Sequence, residues 1–260
     1  MLRTIRATRY VLPLREGGSL PAIVEGDDLG LYVVKFRGAG QGVLALIAEL
    51  IAGEIGRVLG LRVPEIVFAE IDPALGRNEP DYEIRQLLKA SAGLNLALDY
   101  LPGSVMFDSA AHDAAPGDEA SMLVWFDSFT QNVDRTPRNP NLLVWHGKLY
   151  PIDHGAALYF HHDWSTMASK AGSPFKQIEQ HVLLRWAAGI EKAGATARGK
   201  LTAEALARIV DAVPTAWLDQ IPGDRMAEER RTAYLDFFRE RVERAHIFEQ
   251  EANDARTRLV

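Results

Sequence analysis

Asn132-Val133-Asp134-Arg135-Thr136-Pro137-Arg138-Asn139-Pro140-Asn141, with Ile152-Asp153-His154-Gly155 downstream, decides how this chain is read. Asn139 stands five places after Asp134, and Asp153 nineteen places after it. Two carboxylates and an amide at this spacing suit a site that holds a metal-bound triphosphate and lines up an attacking hydroxyl. One carboxylate orients the hydroxyl, the other holds the cation, and the amide oxygen completes a shell of the oxygen ligands magnesium prefers. A short hairpin, residues 142–145 and 149–152 around His146-Gly147, is predicted between the two loops and brings both to one end of a sheet.

Upstream, residues 4–12 and 21–25 read as strands around the turn Glu16-Gly17-Gly18-Ser19, and Leu31-Tyr32-Val33-Val34-Lys35-Phe36 reads as a third. Gly38-Ala39-Gly40-Gln41-Gly42 breaks that run. Apolar residues at 44, 47, 51, 55 and 58 then predict a helix over 43–59, closed by Gly60. Pro64 precedes a strand ending at Ile71, residues 72–82 read as a loop, and a further strand is expected at 82–88. Residues 91–104 read as a connection and 108–118 as a loop, and a helix over 119–131 delivers the chain to Asp134. Beyond Asp153 the pattern is helical: 176–190, 202–212, 214–220 and 225–250. Strands lead and helices follow, so the expected class is α+β with two lobes. The N-lobe (1–100) is an antiparallel sheet with one helix, and the C-lobe (101–260) is mostly helical. The acidic loops fall where the two would meet, a common place for ligands.

The bulk numbers permit this. The 260 residues are 47% hydrophobic and 25% charged, enough for a sizeable core. A net charge of −6 disfavours direct nucleic-acid binding, although Arg135 and Arg138 are candidates for a local basic patch. The absence of cysteine removes disulfides, thiolate catalysis and cysteine-ligated zinc, and fits a cytoplasmic setting. Met1-Leu2-Arg3-Thr4-Ile5-Arg6 lacks the apolar run of a signal peptide, and no segment is long and apolar enough to span a membrane.

Asp134-Arg135-(three residues)-Asn139 with Asp153-His154-Gly155 resembles the protein-kinase-like superfamily, and within it the HipA-like and phosphatidylinositol-kinase-like branch, where the loop reads Asp-Arg and Asp-x-Gly replaces Asp-Phe-Gly. Ala48-Glu49-Leu50-Ile51, running to Leu59-Gly60-Leu61-Arg62-Val63-Pro64, is similar to the Glu-bearing helix of HipA-type kinases. The resemblance covers roughly residues 15–160. It implies a bilobal kinase-like fold, ATP and Mg2+ as cofactors, and transfer of the γ-phosphoryl group to a hydroxyl acceptor, protein serine or threonine foremost. Asp134 would be the catalytic base, and Asn139 and Asp153 catalytic metal ligands. Lys35, paired with Glu49, would reach the phosphates. Gly17, Gly18 and Ser19 would offer backbone N–H groups to phosphate, and the backbone of Asp99, Tyr100 and Leu101 would meet adenine. Two departures bear on the resemblance: Thr136 stands where those loops carry His, and the additional N-terminal region of HipA toxins has no counterpart. Toxin function and an antitoxin partner are therefore not carried over.

Alternatives stay open. Asn141 competes with Asn139 as metal ligand, and a helical wheel sets Glu54 nearer the apolar stripe than Glu49. The Gly38–Gly42 run between a strand and a helix, with Asp72 at the end of the next strand, outlines an NAD(P)-type dinucleotide-binding βαβ unit. A catalytically inactive pseudokinase binding module is the third reading. His146, His154, His161 and His162 match no zinc-ligand spacing.

Overall fold

Side chains that alternate inward and outward build the first part of the molecule. The computed structural model describes residues 2–14, 20–40, 42–77, 79–110 and 115–260. Strands β1 (Thr4–Pro13), β2 (Ala22–Gly26), β3 (Leu31–Lys35), β4 (Ile66–Ile71) and β5 (Gly93–Asp99) close into a barrel in the order β1-β2-β3-β5-β4. All pairs are antiparallel except the closing β1–β4 pair, where Ile5 lies beside Ala69 in parallel register. Ile5, Val24, Tyr32, Val34, Val67, Ala69 and Ala97 form one buried cluster, while the alternating Ile66, Leu96 and Leu98 belong to the larger core outside it. This corrects the expected open antiparallel sheet. Strand twist carries β1 round to β4, and closure removes the two unpaired edges.

Helix α1 (Gly42–Leu59) lies against that outer face, touching β4 and β5 on one side and the helical part of the chain on the other. It is buried almost all round, so its sequence has no strong polar face. Gly60, at φ 92°, closes it in the left-handed conformation that suits glycine, and the Leu61 N–H returns to the Gly56 carbonyl. The segment expected as a strand at 82–88 is instead helix α2 (Tyr82–Ala90). The Asp81 carboxylate caps it by accepting from the N–H groups of Glu83 and Ile84, and Ile84 and Leu88, four apart, bury one face. The fifth strand is β5, inside the stretch expected to be a connection.

The second part opens with β6 (Val105–Met106) and α3 (Gly117–Thr130), followed by the hairpin β7 (Leu142–Trp145) and β8 (Lys148–Pro151), with β6 pairing beside β7. His146 and Gly147 both adopt positive φ (49° and 68°), the two-residue turn that matches strand twist. Helices α4 (Met167–Ala171), α5 (Ile190–Lys200), α6 (Ala203–Asp211), α7 (Thr215–Leu218), α8 (Ala227–Glu243) and α9 (Ala245–Leu259) complete the chain. Two helical expectations are corrected. Residues 176–190 hold two short 3-10 turns rather than a helix, and the predicted 225–250 helix is split at Arg244.

Buried Arg241 of α8 fixes the end of α3. Its guanidinium donates to the carbonyls of Ser128 and Phe129 at 2.6 and 2.9 Å, and to those of Ala171 and Ser173 at 3.0 and 2.9 Å. A cation against the unsatisfied carbonyls of a helix C-terminus is electrostatically favourable. The end of α3 is where the Asp134 loop begins. No helix among the described residues is long and apolar enough to cross a membrane.

Candidate functional site

Lys35 is the last residue of β3. Tyr32 and Val34 are buried, which turns Leu31, Val33 and Lys35 to the opposite side, where Lys35 meets α1. There the Lys35 ammonium lies 2.5 Å from Glu49 Oε2 on α1 and 2.5 Å from Asp153 Oδ1. Glu54, the alternative partner, instead pairs with Arg57 one turn on. Burial opposes the Lys35 charge, but the two carboxylates outweigh it and hold the ammonium above its ordinary pKa. Burial pushes the Glu49 carboxyl up, with Lys35 working against that push. Asp153 is held low, chiefly by Lys35. Glu49 is fully buried, whereas the Asp153 side chain is 49% exposed and faces a cleft lined by Lys35, Ala39, Gly42, Ala45 and Gly155. The left-handed residue of the Asp153-His154-Gly155 kink is Asp153 itself, at φ 52°, a conformation aspartate tolerates better than most residues.

The Asp134 loop is shaped by a turn over Thr136-Pro137-Arg138-Asn139, with Pro137 in the second position it favours. The Asn139 N–H returns to the Thr136 carbonyl, and the Thr136 N–H to the Asn139 carbonyl, each at 3.1 Å. This folds Asn139 back so that its Nδ2 donates to Asp134 Oδ2 at 2.7 Å. Asn141 Nδ2 points to the same oxygen at 3.4 Å. The two amides differ in backbone placement. Asn141, at φ 47° and nearly buried, accepts the Ile152 N–H at 2.9 Å and so lies across from the residue preceding Asp153. Asn139 sits in the turn, closed by its bonds with Thr136.

A buried polar cluster behind these loops is absent from the sequence reading. Asp127 on α3 accepts from Arg135 Nε at 2.5 Å, His181 Nε2 at 2.8 Å and Asn132 Nδ2 at 3.0 Å. Arg135 also donates to the carbonyls of Asn141 and Ile152 and meets His154 Nδ1 at 3.1 Å, while its own carbonyl accepts the Val182 N–H. One guanidinium thus ties the end of the Asp134 loop to the start of the Asp153 loop and anchors both to α3. Burial alone would raise the Asp127 carboxyl, but Arg135 and His181 hold it well below the ordinary range. Arg135 is therefore an internal clamp, which corrects the expectation of a basic surface patch at that position. The available signal was Asp127 itself, a carboxylate within the apolar run Leu123-Val124-Trp125-Phe126 on one side and Phe129 on the other.

The remaining candidates scatter in informative ways. The N–H groups of Asp99 and Tyr100 are spent on the Glu65 and Leu31 carbonyls, both at 2.9 Å, so neither is free for adenine. Leu101 follows directly and is buried. Gly17, Gly18 and Ser19 lie outside the described residues. The dinucleotide outline does not survive the topology: β3 pairs only with β2 and β5, both antiparallel, and forms no parallel unit with β4. Asp72, the would-be ribose ligand, caps the 3-10 turn Pro73–Gly76 through the Ala74 N–H. Gly38 has a packing reason, since a Cβ there would come within 2.7 Å of the Ala90 side chain.

The histidines named in sequence serve mainly as internal contacts. His161 Nδ1 meets Tyr234 Oη at 3.0 Å, and His154 packs edge-on against Phe126. Burial depresses both to about 3. Their folded-state pKa therefore lies below the unfolded value of roughly 6.5, and the unfolded chain takes up protons that the native state refuses. Their neutral forms are fully accommodated above pH 6.5, and stability falls as pH drops from there toward the folded values. At pH 5 each should cost about 2 kcal/mol relative to pH 7. Urea midpoints measured at the two pH values should show this loss, and equal midpoints would contradict it.

The chain is similar in structure to a Helicobacter pylori proinflammatory kinase, CtkA, at 15% identity over 99% of each chain and a TM-score of 0.55. It is also similar to the Golgi casein kinase, at 10% identity over 96% of this chain and 72% of that one, with a TM-score of 0.50. At such identities the likeness concerns the fold, which is kinase-like. No curated protein sequence matches the chain. The family model described as HipA-like kinase matches residues 9–253, a span holding the Lys35 strand, the Glu49 helix and both acidic loops. The chain belongs to the HipA-like kinase family.

Proposed function

We propose that this protein transfers the γ-phosphoryl group of ATP to a hydroxyl acceptor, with serine or threonine of a protein the favoured acceptor by family resemblance. The observation that carries the reading is the Lys35–Glu49–Asp153 cluster, which joins the barrel, α1 and the Asp-x-Gly loop at a cleft, with Arg135 tying that loop to the Asp134 loop. Residues 1–100 serve as the nucleotide-side lobe and 101–260 as the lobe carrying the acidic loops.

In this reading Asp134 orients the acceptor hydroxyl and takes its proton as the new O–P bond forms and the bond to the ADP leaving group breaks. Lys35, kept charged by its two carboxylates, steadies the phosphates. Leu101 supplies the backbone N–H for adenine, since its two predecessors have spent theirs. Gly17, Gly18 and Ser19 retain their assignment to phosphate from sequence alone. The donor set fits Mg2+. With their Nδ2 atoms turned to Asp134, Asn139 and Asn141 have Oδ1 available for a cation, and Asp153 adds a carboxylate. These amide and carboxylate oxygens would hold the ion, in keeping with the oxygen ligands magnesium prefers. When bound, the ion neutralises charge on the phosphates.

Two amides compete, and placement favours Asn141 because its backbone faces Ile152. Asn141→Ala should therefore reduce turnover by about 100-fold or more and raise the magnesium requirement, whereas Asn139→Ala should act mainly through Asp134 with an unchanged magnesium optimum. Magnesium titrations of both variants check this, and the reverse pattern would restore Asn139. The reading as a whole is tested with labelled ATP, with and without cell lysate, on the native chain and Asp153→Ala. Label that appears only with the native chain supports it. ATP bound but never turned over would favour the pseudokinase alternative.

A further inference from the structure

The Asp134 loop has a second side. Away from the Lys35 cleft, Thr136, Pro137 and Arg138 form one wall of an open groove whose other wall carries Glu179, His181 and Arg185. Arg138 and Arg185 are both exposed, and among the described residues neither has a carboxylate within ion-pair distance, in a chain whose net charge is −6. Among the described residues the exposed Arg3, Arg9, Arg57, Arg62, Arg198, Arg239, Arg244 and Arg258 each hold one, while Arg6, Arg77, Arg208 and Arg225 share the unpaired state but lie outside this groove. Arg185 instead rests over the Trp186 ring, 5.3 Å from its centre, which supports the guanidinium without neutralising it. Among the described residues Glu179 is the one carboxylate side chain lining the groove, beside the two arginines. The wall holding Arg138 is covalently continuous with Asp134: the Thr136 N–H donates to the Asp134 carbonyl at 3.1 Å, and Arg138 stands four residues past the proposed base.

From this juxtaposition we infer that the groove seats the acceptor polypeptide, with Arg138 and Arg185 pairing with acidic side chains one to three residues from the accepted serine or threonine. The inference rests on the phosphotransferase reading for the word acceptor, but not for the binding surface itself. An extended peptide advances about 3.3 Å per residue, so an acidic residue this close in sequence stays near the wall that positions Asp134. Unpaired guanidiniums recognise carboxylates with charge-assisted, often bidentate hydrogen bonds, and a lysine on the peptide would be repelled. Burial holds the His181 pKa below its ordinary value, and its Nε2 is engaged with Asp127.

The experiment uses serine peptides identical except for Glu, Gln or Lys at one to three positions on either side of the serine. Each is assayed with the native protein, Arg138→Glu, Arg185→Glu and the double variant. Two readouts run in parallel: phosphate incorporation, and fluorescence anisotropy of the labelled peptide without nucleotide. The native protein should prefer Glu over Lys peptides by about tenfold in both kcat/KM and affinity. Each single charge reversal should shrink that preference, and the double variant should favour Lys. Equal use and equal binding of Glu and Lys peptides by the native protein would overturn the inference, as would a Glu preference that survives both reversals. If no peptide is phosphorylated yet the anisotropy preference holds and reverses, the groove assignment stands and the phosphotransferase reading is what has failed.

Discussion

Asp153→Asn should leave the protein folded and reduce phosphoryl transfer by about 1,000-fold or more. The substitution keeps the shape of the side chain and removes its charge. Asp153 is half-exposed at the cleft, so no buried charge is stranded on its own account. Lys35 keeps Glu49 at 2.5 Å. What is lost is the anionic oxygen placed to hold a cation against the phosphates. Lys35→Met should behave differently, because Glu49 is fully buried and Lys35 is the partner holding its charge. Removing one member of a buried pair costs about 3–5 kcal/mol, so this variant should lose stability along with activity. Glu49→Gln should be milder in stability, since it removes the buried charge instead of orphaning it. Thermal melts and labelled-ATP assays on the three variants separate the roles. Full turnover by Asp153→Asn would remove the case for ATP chemistry at this cleft.

The parts of the site visible in sequence are those joined by short spacings. Asp134 and Asp153 flank a hairpin whose turn, His146-Gly147, carries its own conformational signature, so the approach of the two loops follows from local rules. Lys35 and Glu49 are legible for a related reason: a strand and the helix after it pack together, and each bears one charge on an apolar face. The wheel favours Glu54 only under the assumption that α1 has a solvent side, and α1 is buried almost all round. Closure of the barrel depends on β1 meeting β4 some sixty residues later, which no window of sequence contains. The 82–88 segment reads as a strand if Ile84, Leu87 and Leu88 are weighed as apolar residues alone; the Asp81 cap is what marks it as a helix. The buried cluster around Asp127 was the least visible. Its members lie on α3, in the Asp134 loop and in the turn at His181, and only the folded chain brings them together.

That cluster yields the other large effect. Asp127→Ala should destabilise the protein by about 3–5 kcal/mol, because it leaves the Arg135 guanidinium buried without its counter-charge and removes the acceptor of His181 and Asn132. Arg135→Met should destabilise by a similar amount, with Asp127 now the stranded ion. The double variant Asp127→Leu, Arg135→Met strands neither charge, so its loss should be smaller than the sum of the singles, the non-additivity expected of directly paired residues. Activity should not follow stability back. Arg135 also holds the Asn141 and Ile152 carbonyls, which fix the Asp134 and Asp153 loops relative to each other, and an apolar replacement cannot do that. A misplacement of about 1 Å at reacting groups costs on the order of 100-fold in rate. The double variant should therefore melt closer to the native protein than either single variant while remaining about 100-fold slower. Recovery of rate in step with stability would show that Arg135 only fills and neutralises the interior, and the two acidic loops would then owe their alignment to the hairpin alone.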